Sequence, residues 1–271
     1  NKIKEKNHVI ICRWNRNVET VMRSLSDTGV RDIVLVNDAD PAQINPVTEK
    51  FPGTEIKFVK GDFADINILN RANIGQSRGV IIVPDVASSS SQGADEKTVF
   101  ATMTIKSVSE KIKVYVQLLR EETIPYIERA KADEYFIAEN IAPYFLTTNI
   151  SNPGISEVMM NLMSPDKDNT LVSANIPAEF AGKSFGELSE HYRKKENSIL
   201  IALVQFHDVL EMKNINSKDT TSIDAFIKRK FEEAGRLTRD LDKKKVILNP
   251  DDDYIIKSFE TAVLIRRSKK Q

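Results

Sequence analysis

The sequence predicts an α/β chain of two lobes, a parallel sheet covered by helices followed by a smaller α+β lobe. Three observations predict it. The first half alternates short apolar runs with longer amphipathic stretches, and runs such as Val9-Ile10-Ile11 and Val80-Ile81-Ile82-Val83 read as strands buried on both faces. After Ser164-Pro165-Asp166 that rhythm stops, and apolar runs recur without regular helices between them. Finally, 271 residues exceed the usual size of one compact domain.

In the first lobe the apolar runs place strands at His8–Cys12, Asp32–Asn37, Glu55–Lys60, Gly79–Val83, Lys113–Leu118 and Glu134–Ala138. Val18–Leu25 follows Asn17, a good cap residue, and puts Val18, Val21, Met22 and Leu25 on one helical face. Ile66–Ala72 reads as a short helix. Asp95–Ser109 reads as a long one, with Val99, Phe100, Met103, Ile105 and Val108 as its apolar stripe. Ser88–Ser91 with Gln92-Gly93 reads as a mobile loop, and Thr123–Ala132 as the next helix. Asn140 to Met163 is a helical segment broken near Asn152-Pro153-Gly154, where proline and glycine oppose an unbroken helix. Its methionine-rich tail, from Ile155 to Met163, asks for a partner surface, and a subunit interface fits better than a cofactor site. In the second lobe, Leu171–Ile176, Ile199–Phe206, Lys244–Leu248 and Thr261–Arg266 read as strands, with Thr221–Leu241 a charged helical insertion.

Composition narrows the function classes. The 39 basic and 39 acidic residues cancel, which argues against a dedicated nucleic-acid binder. One cysteine, Cys12, forms no intramolecular disulfide and favours a reducing compartment. The three histidines, His8, His191 and His207, are too far apart for zinc spacing, and each reads as structural or surface. No apolar run reaches the ~20 residues that cross a bilayer, and the polar first residues are unlike a signal peptide. Nucleophile elbows, paired metal-binding histidines and lysine-bearing phosphate loops are all missing from the sequence.

The candidate binding residues lie where strands end. Cys12-Arg13-Trp14-Asn15-Arg16-Asn17 links the first strand to the first helix without the glycines that let a backbone touch a pyrophosphate. Arg13 or Arg16 contacting an anion, and an empty structural turn, weigh equally there. Asp38 follows the second strand, where a ribose-binding carboxylate stands in dinucleotide-binding folds. Gly61-Asp62 ends the third strand; Asp62 reads first as a helix cap and second as a ligand contact. Asp251-Asp252-Asp253 and Glu121-Glu122 lack calcium-loop spacing, and a solvated turn suits the aspartates better.

The run Gly61-Asp62-Phe63-Ala64-Asp65-Ile66-Asn67-Ile68-Leu69-Asn70-Arg71-Ala72-Asn73-Ile74, followed by Arg78-Gly79-Val80-Ile81-Ile82-Val83, resembles an RCK domain, the regulator-of-potassium-conductance module of TrkA-N/TrkA-C type. Pro177 to Leu188 and Asn249-Pro250-Asp251-Asp252-Asp253-Tyr254-Ile255-Ile256 are similar to that family's C-terminal subdomain. The resemblance implies a Rossmann-like parallel-sheet N-lobe at 7–140 and crossover dimerisation helices at 141–165. It implies a smaller α+β C-terminal subdomain at 166–271, with the helical insertion near 219–242. It also implies a ligand-sensing regulatory domain, not an enzyme, that gates a potassium channel at the cytoplasmic face of the membrane. Such units form homo-oligomers, from a dimer to an octameric gating ring, and act on a pore in the same chain or on a membrane partner. Trp14 looks like channel-type members, whereas uptake regulators keep a glycine-rich turn. The implied ligand is an adenine nucleotide or NAD before calcium, because Val83, Gln117 and Leu119 stand where calcium-gated relatives have carboxylates. The implied contacts are Arg13, Trp14, Asn15, Arg16, Asp38 and Asp62. Two alternatives stay open: a peripheral regulatory subunit of a Trk/Ktr-type potassium-uptake transporter, and an NAD-dependent oxidoreductase.

Overall fold

A computed structural model describes residues 2–15, 17–84, 90–164, 169–205 and 245–267. They fall into two units, Asn1–Glu157 and Val158–Gln271. The first unit runs β1 (Val9–Cys12), α1 (Val18–Asp27), β2 (Asp32–Asn37), α2 (Pro41–Thr48), β3 (Glu55–Lys60), α3 (Ile66–Arg71), β4 (Gly79–Ile82), α4 (Ser91–Val108), β5 (Val114–Leu118), α5 (Ile124–Arg129), β6 (Glu134–Ile137) and α6 (Ala142–Ser151). Helix α7 (Ile155–Met163) spans the division between the units. All six strands are parallel, in the order β3-β2-β1-β4-β5-β6. This is the doubly wound arrangement that the sequence predicts. Every residue of β1 is buried because an apolar core lies on each face of the sheet. Ile10, Val34, Val80 and Val114 belong to one core, while Val9, Ile11, Ile33 and Leu35 belong to the other, with Val18 and Met22 of α1.

Several expectations shift. Helix α2, which holds Pro46 in its interior, was not expected. Proline is tolerated in the first helical turn, and Pro41 opens α2. The expected mobile loop at Ser88–Ser91 and Gln92-Gly93 is in part helix: α4 begins at Ser91, and Ser90 caps it by accepting the Gly93 N–H through its hydroxyl. Ser88 and Ser89 lie outside the described residues. The apolar stripe assigned to α4 is half right: Ile105 is buried and Val99 packs against the core, but its other large members turn outward. Ala94, Thr98, Ala101, Thr102 and Ile105 face the sheet, while Phe100 and Met103 are exposed. Small side chains let α4 approach closely, and the two threonines return their hydroxyls to Ala94 and Thr98 carbonyls.

The second unit continues with β7 (Asn169–Asn175), α8 (Phe185–Glu196), β8 (Ile199–Gln205), β9 (Lys245–Leu248) and β10 (Glu260–Arg267). Its sheet is antiparallel, in the order β7-β10-β8-β9. Helix α8 went unread although Ser184 and Glu187 form a capping box, the reciprocal pairing that starts a helix. It packs Leu188 and Tyr192 against Leu203, Ala262 and Leu264. In the same unit Glu260, 5% exposed, accepts hydrogen bonds from Gln205 and from the Tyr254 hydroxyl at 2.7 and 2.6 Å, which satisfies its buried carboxyl group. The expected insertion at Thr221–Leu241 lies outside the described residues.

Candidate functional site at the strand ends

The chain order reverses on either side of β1, which pairs with β2 on one edge and β4 on the other. A crevice opens at the carboxyl ends of strands at such a point. Its first wall is the β1–α1 turn. Arg13 adopts φ 74°, a left-handed conformation rare for a residue with a side chain, and its N–H donates to Val36 at 2.9 Å. Its side chain is buried, with the guanidinium 5.1 Å from the centre of the Phe63 ring. That distance permits a cation–π contact. Trp14, half-buried, packs against the core beneath α1. Asn15 straps β1 to β4: its Nδ2 donates to the Pro84 carbonyl at 2.7 Å, while its Oδ1 accepts the Asn17 N–H at 2.9 Å. The helix start that the sequence assigned to an Asn17 cap thus rests on Asn15, and the Asn17 side chain makes no cap hydrogen bond. Arg16 lies outside the described residues.

The second wall is formed where β2 and β3 end. Asn37, 1% exposed, closes β2; its carbonyl accepts the Gly61 N–H at 2.9 Å and its Oδ1 accepts the Ala39 N–H at 3.0 Å. Its Nδ2 has no hydrogen-bond partner among the described residues. Asp38, the expected ribose contact, is exposed one residue beyond the strand. Gly61 takes φ 150°, and a Cβ there would stand 2.5 Å from Ile68 Cδ1, so glycine is required on two counts.

Asp62 is not the helix cap. That role falls to Asp65, whose carboxylate accepts the Asn67 N–H at 2.8 Å as α3 begins. Asp62 instead accepts the Ala64 N–H at 2.9 Å and pairs with Lys97 of α4 at 3.1 Å. Partial burial pushes its carboxyl pKa up. The Ala64 N–H, the Lys97 ammonium and the Arg13 charge more than offset this, and the pKa lies below its ordinary value. The Lys97 ammonium also sits 5.0 Å from the Phe63 ring centre, so one buried ring carries two cations.

Helix α4 is fixed to the far side by Asp95, 1% exposed, which accepts the Leu119 and Arg120 N–H groups at 3.0 Å each and the Thr123 hydroxyl at 2.9 Å. The backbone after β5, including the Leu119 position weighed for calcium, is committed to that carboxylate. Among the described residues no three His, Cys, Asp or Glu side chains gather as a metal site. Burial pushes the Cys12 thiol far above its ordinary pKa, leaving it inert as a nucleophile. Two shallow concavities, of 240 and 460 Å³, lie elsewhere, on the second unit beside Arg193 and Arg267 and on the first beside Lys2 and Lys57. Neither includes a crevice residue.

The structure therefore brings Arg13 and Asp62 together, commits Trp14 and Asn15 to packing and strapping, and leaves Asp38 exposed at the end of β2. It adds Asn37, Phe63 and Lys97, which the sequence reading missed. Asn37 was signalled only by ending the strand. Lys97 carried no local signal, since it meets Asp62 solely through the packing of α4.

Such a crevice defines a doubly wound α/β domain that gathers charge at its strand ends without a glycine-rich turn. The family model of the TrkA-N domain matches residues 9–138, from β1 to just past β6. The parallel-sheet unit is similar to a TrkA-N domain from its first strand to its last. The chain is 24% identical over 165 residues to the calcium-gated potassium channel TvoK of Thermoplasma volcanium, covering 60% of this chain and 45% of TvoK. It is 25% identical over 131 residues to the candidate potassium channel protein YugO of Bacillus subtilis, covering 48% of this chain and 38% of YugO. The chain thus spans less than half the length of these curated relatives. The human SLO3 gating ring shares the fold over 96% of this chain and 44% of its own, with a TM-score of 0.63 and 15% identity.

Proposed function

We propose that this chain is a ligand-sensing regulatory domain of a potassium channel, in which occupancy of the strand-end crevice biases an assembly of subunits that acts on a pore. The observation that carries this reading is the TrkA-N match across the whole parallel sheet, whose crevice gathers Arg13, Asp62 and Lys97. Similarity to TvoK supports a channel as the partner. A ligand shifts such an equilibrium only by its difference in affinity for the two states, and charged side chains from β1, β3 and α4 are placed to sense one. The ligand class the crevice favours is an adenine nucleotide or a dinucleotide. Calcium, which the name of TvoK raises, has less support, since the positions weighed for it hold Val83, Gln117 and Leu119. The reading places the domain at the cytoplasmic face of a membrane and in a homo-oligomer, from a dimer to a ring.

Calorimetric titration of the chain with ATP, ADP, NAD and calcium tests it. Saturable nucleotide or dinucleotide binding is expected, weakened about tenfold by Asp62→Ala through loss of one charged contact, and unchanged by Asp38→Ala. No saturable binding, or turnover of a nicotinamide cofactor with a reducible substrate, would overturn the reading.

A further inference from the structure

The concavity of 460 Å³ on the first unit gathers charge of one sign. Lys2, Lys4, Lys57 and Arg71 bring four cations to its lining and Glu5 one carboxylate, while Ile3 and Phe58 add apolar surface. Four cations against one carboxylate leave an excess of three positive charges, in a chain whose 39 basic and 39 acidic residues cancel. The fold holds these groups in place. Ile3 is 8% exposed within the first core, and its N–H donates to the Arg71 carbonyl at 2.8 Å, which pins the segment before β1 to the end of α3. The Asn73 amide pins it again by donating to the Glu5 carbonyl at 2.8 Å. Lys2 and Lys4, on either side of Ile3, are exposed. The one lining carboxylate is already engaged. Glu5 pairs with Lys57, whose ammonium holds the carboxyl below its ordinary pKa, and it accepts the Lys4 N–H at 3.1 Å. The side chains of Lys2, Lys4 and Arg71 have no ion-pair partner among the described residues.

Like charges held around one hollow repel, and an anion that enters relieves the repulsion. Guanidinium and ammonium groups are the usual donors to phosphate, and a phosphoryl group brings about −1.5 to −2 charges at neutral pH. Two phosphoryl groups match an excess of three charges, and a single carboxylate does not. We infer that this hollow binds a compact organic diphosphate, with its phosphoryl groups among Arg71 and the three lysines and its carbon frame against Ile3 and Phe58. The site is separate from the strand-end crevice and stands whatever that crevice binds. Such a ligand comes free in solution or as the head of a lipid, and the same side chains meet both.

The test has two arms on the whole chain. One is calorimetry with pyrophosphate and fructose 1,6-bisphosphate. The other is co-sedimentation with phosphatidylcholine vesicles with and without cardiolipin, a lipid whose head carries two phosphoryl groups. Saturable binding is expected in at least one arm: the free diphosphates identify a soluble ligand, and cardiolipin vesicles alone identify a lipid head. Lys4→Gln with Arg71→Gln, at two exposed side chains, should weaken that binding about tenfold, the loss expected for charged contacts. Lys111→Gln with Lys195→Gln removes two exposed cations elsewhere and should leave it unchanged. Glu5→Gln takes away the one lining carboxylate and should tighten binding, a gain that loss of folding cannot imitate. Absence of saturable binding in both arms, equal weakening by the two double variants, or binding unmoved by Lys4→Gln with Arg71→Gln would overturn the assignment.

Discussion

At the scale of single residues, the crevice is built from side chains whose backbone conformations admit few alternatives. Gly61 is the plainest case. Its φ of 150° and its closeness to Ile68 let β3 turn toward Asp62 while its N–H reaches Asn37. Gly61→Ala is expected to destabilise the protein by about 2 kcal/mol, measured by denaturant unfolding, because the added methyl group overpacks a site already in contact. An unchanged unfolding midpoint would mean that Ile68 moves aside freely. Arg13 holds a left-handed conformation that glycine would hold more easily, and its buried guanidinium over Phe63 is what a glycine could not supply. The absence of glycines from this turn was legible in the sequence. That Arg13 folds inward to Phe63 was not, since the two residues are fifty positions apart.

Among the elements, strands were read almost to the residue, because burial on both faces of a parallel sheet forces continuous apolar runs. Helices were less legible. In α4, Ile105 of the expected stripe is buried, but Phe100 and Met103 point outward, and the inward face is completed by alanines and threonines that permit close approach. Helix α6 poses the converse case. Leu146 and Ile150, 72 and 84% exposed, stand one turn apart on one apolar face, and Tyr144 on another side is 73% exposed. Contiguous exposed apolar surface of this kind marks association sites. In the homo-oligomer of the proposed function this face is an interface, and Leu146→Glu with Ile150→Glu should convert the particle to a monomer in light scattering while the melting temperature stays near that of the unaltered chain. An assembly of unchanged mass would exclude α6 from the interface.

For the molecule as a whole, stability should depend on pH through carboxylates that the fold holds ionised. Asp133, just before β6, is the most deeply engaged: it pairs with Lys106 of α4 at 2.7 Å and with Lys113 at 2.9 Å, and it accepts the Val114 N–H at 2.8 Å. Burial raises its pKa, but these partners together lower it below the ordinary value. A depressed carboxylate pKa stabilises the folded state above the ordinary range, near pH 4, and that contribution is lost as pH falls through the folded value. The melting temperature should therefore fall as pH drops below about 4, and Asp133→Asn should flatten that fall while costing about 2 kcal/mol at neutral pH. An acid limb unchanged by Asp133→Asn would assign the effect to other carboxylates. The sequence alone determined the fold class, the strand positions, the break at Asn152-Pro153-Gly154 and the want of glycines in the first turn, because hydrophobic period and backbone constraint are local properties of a chain. Only tertiary structure decided that Asn37 is buried at the end of β2 while Asp38 is exposed, that Lys97 meets Asp62, and which side of α4 is buried. Those outcomes depend on strand register and helix packing, which bring residues distant in sequence within a few ångströms, and no local pattern encodes that distance.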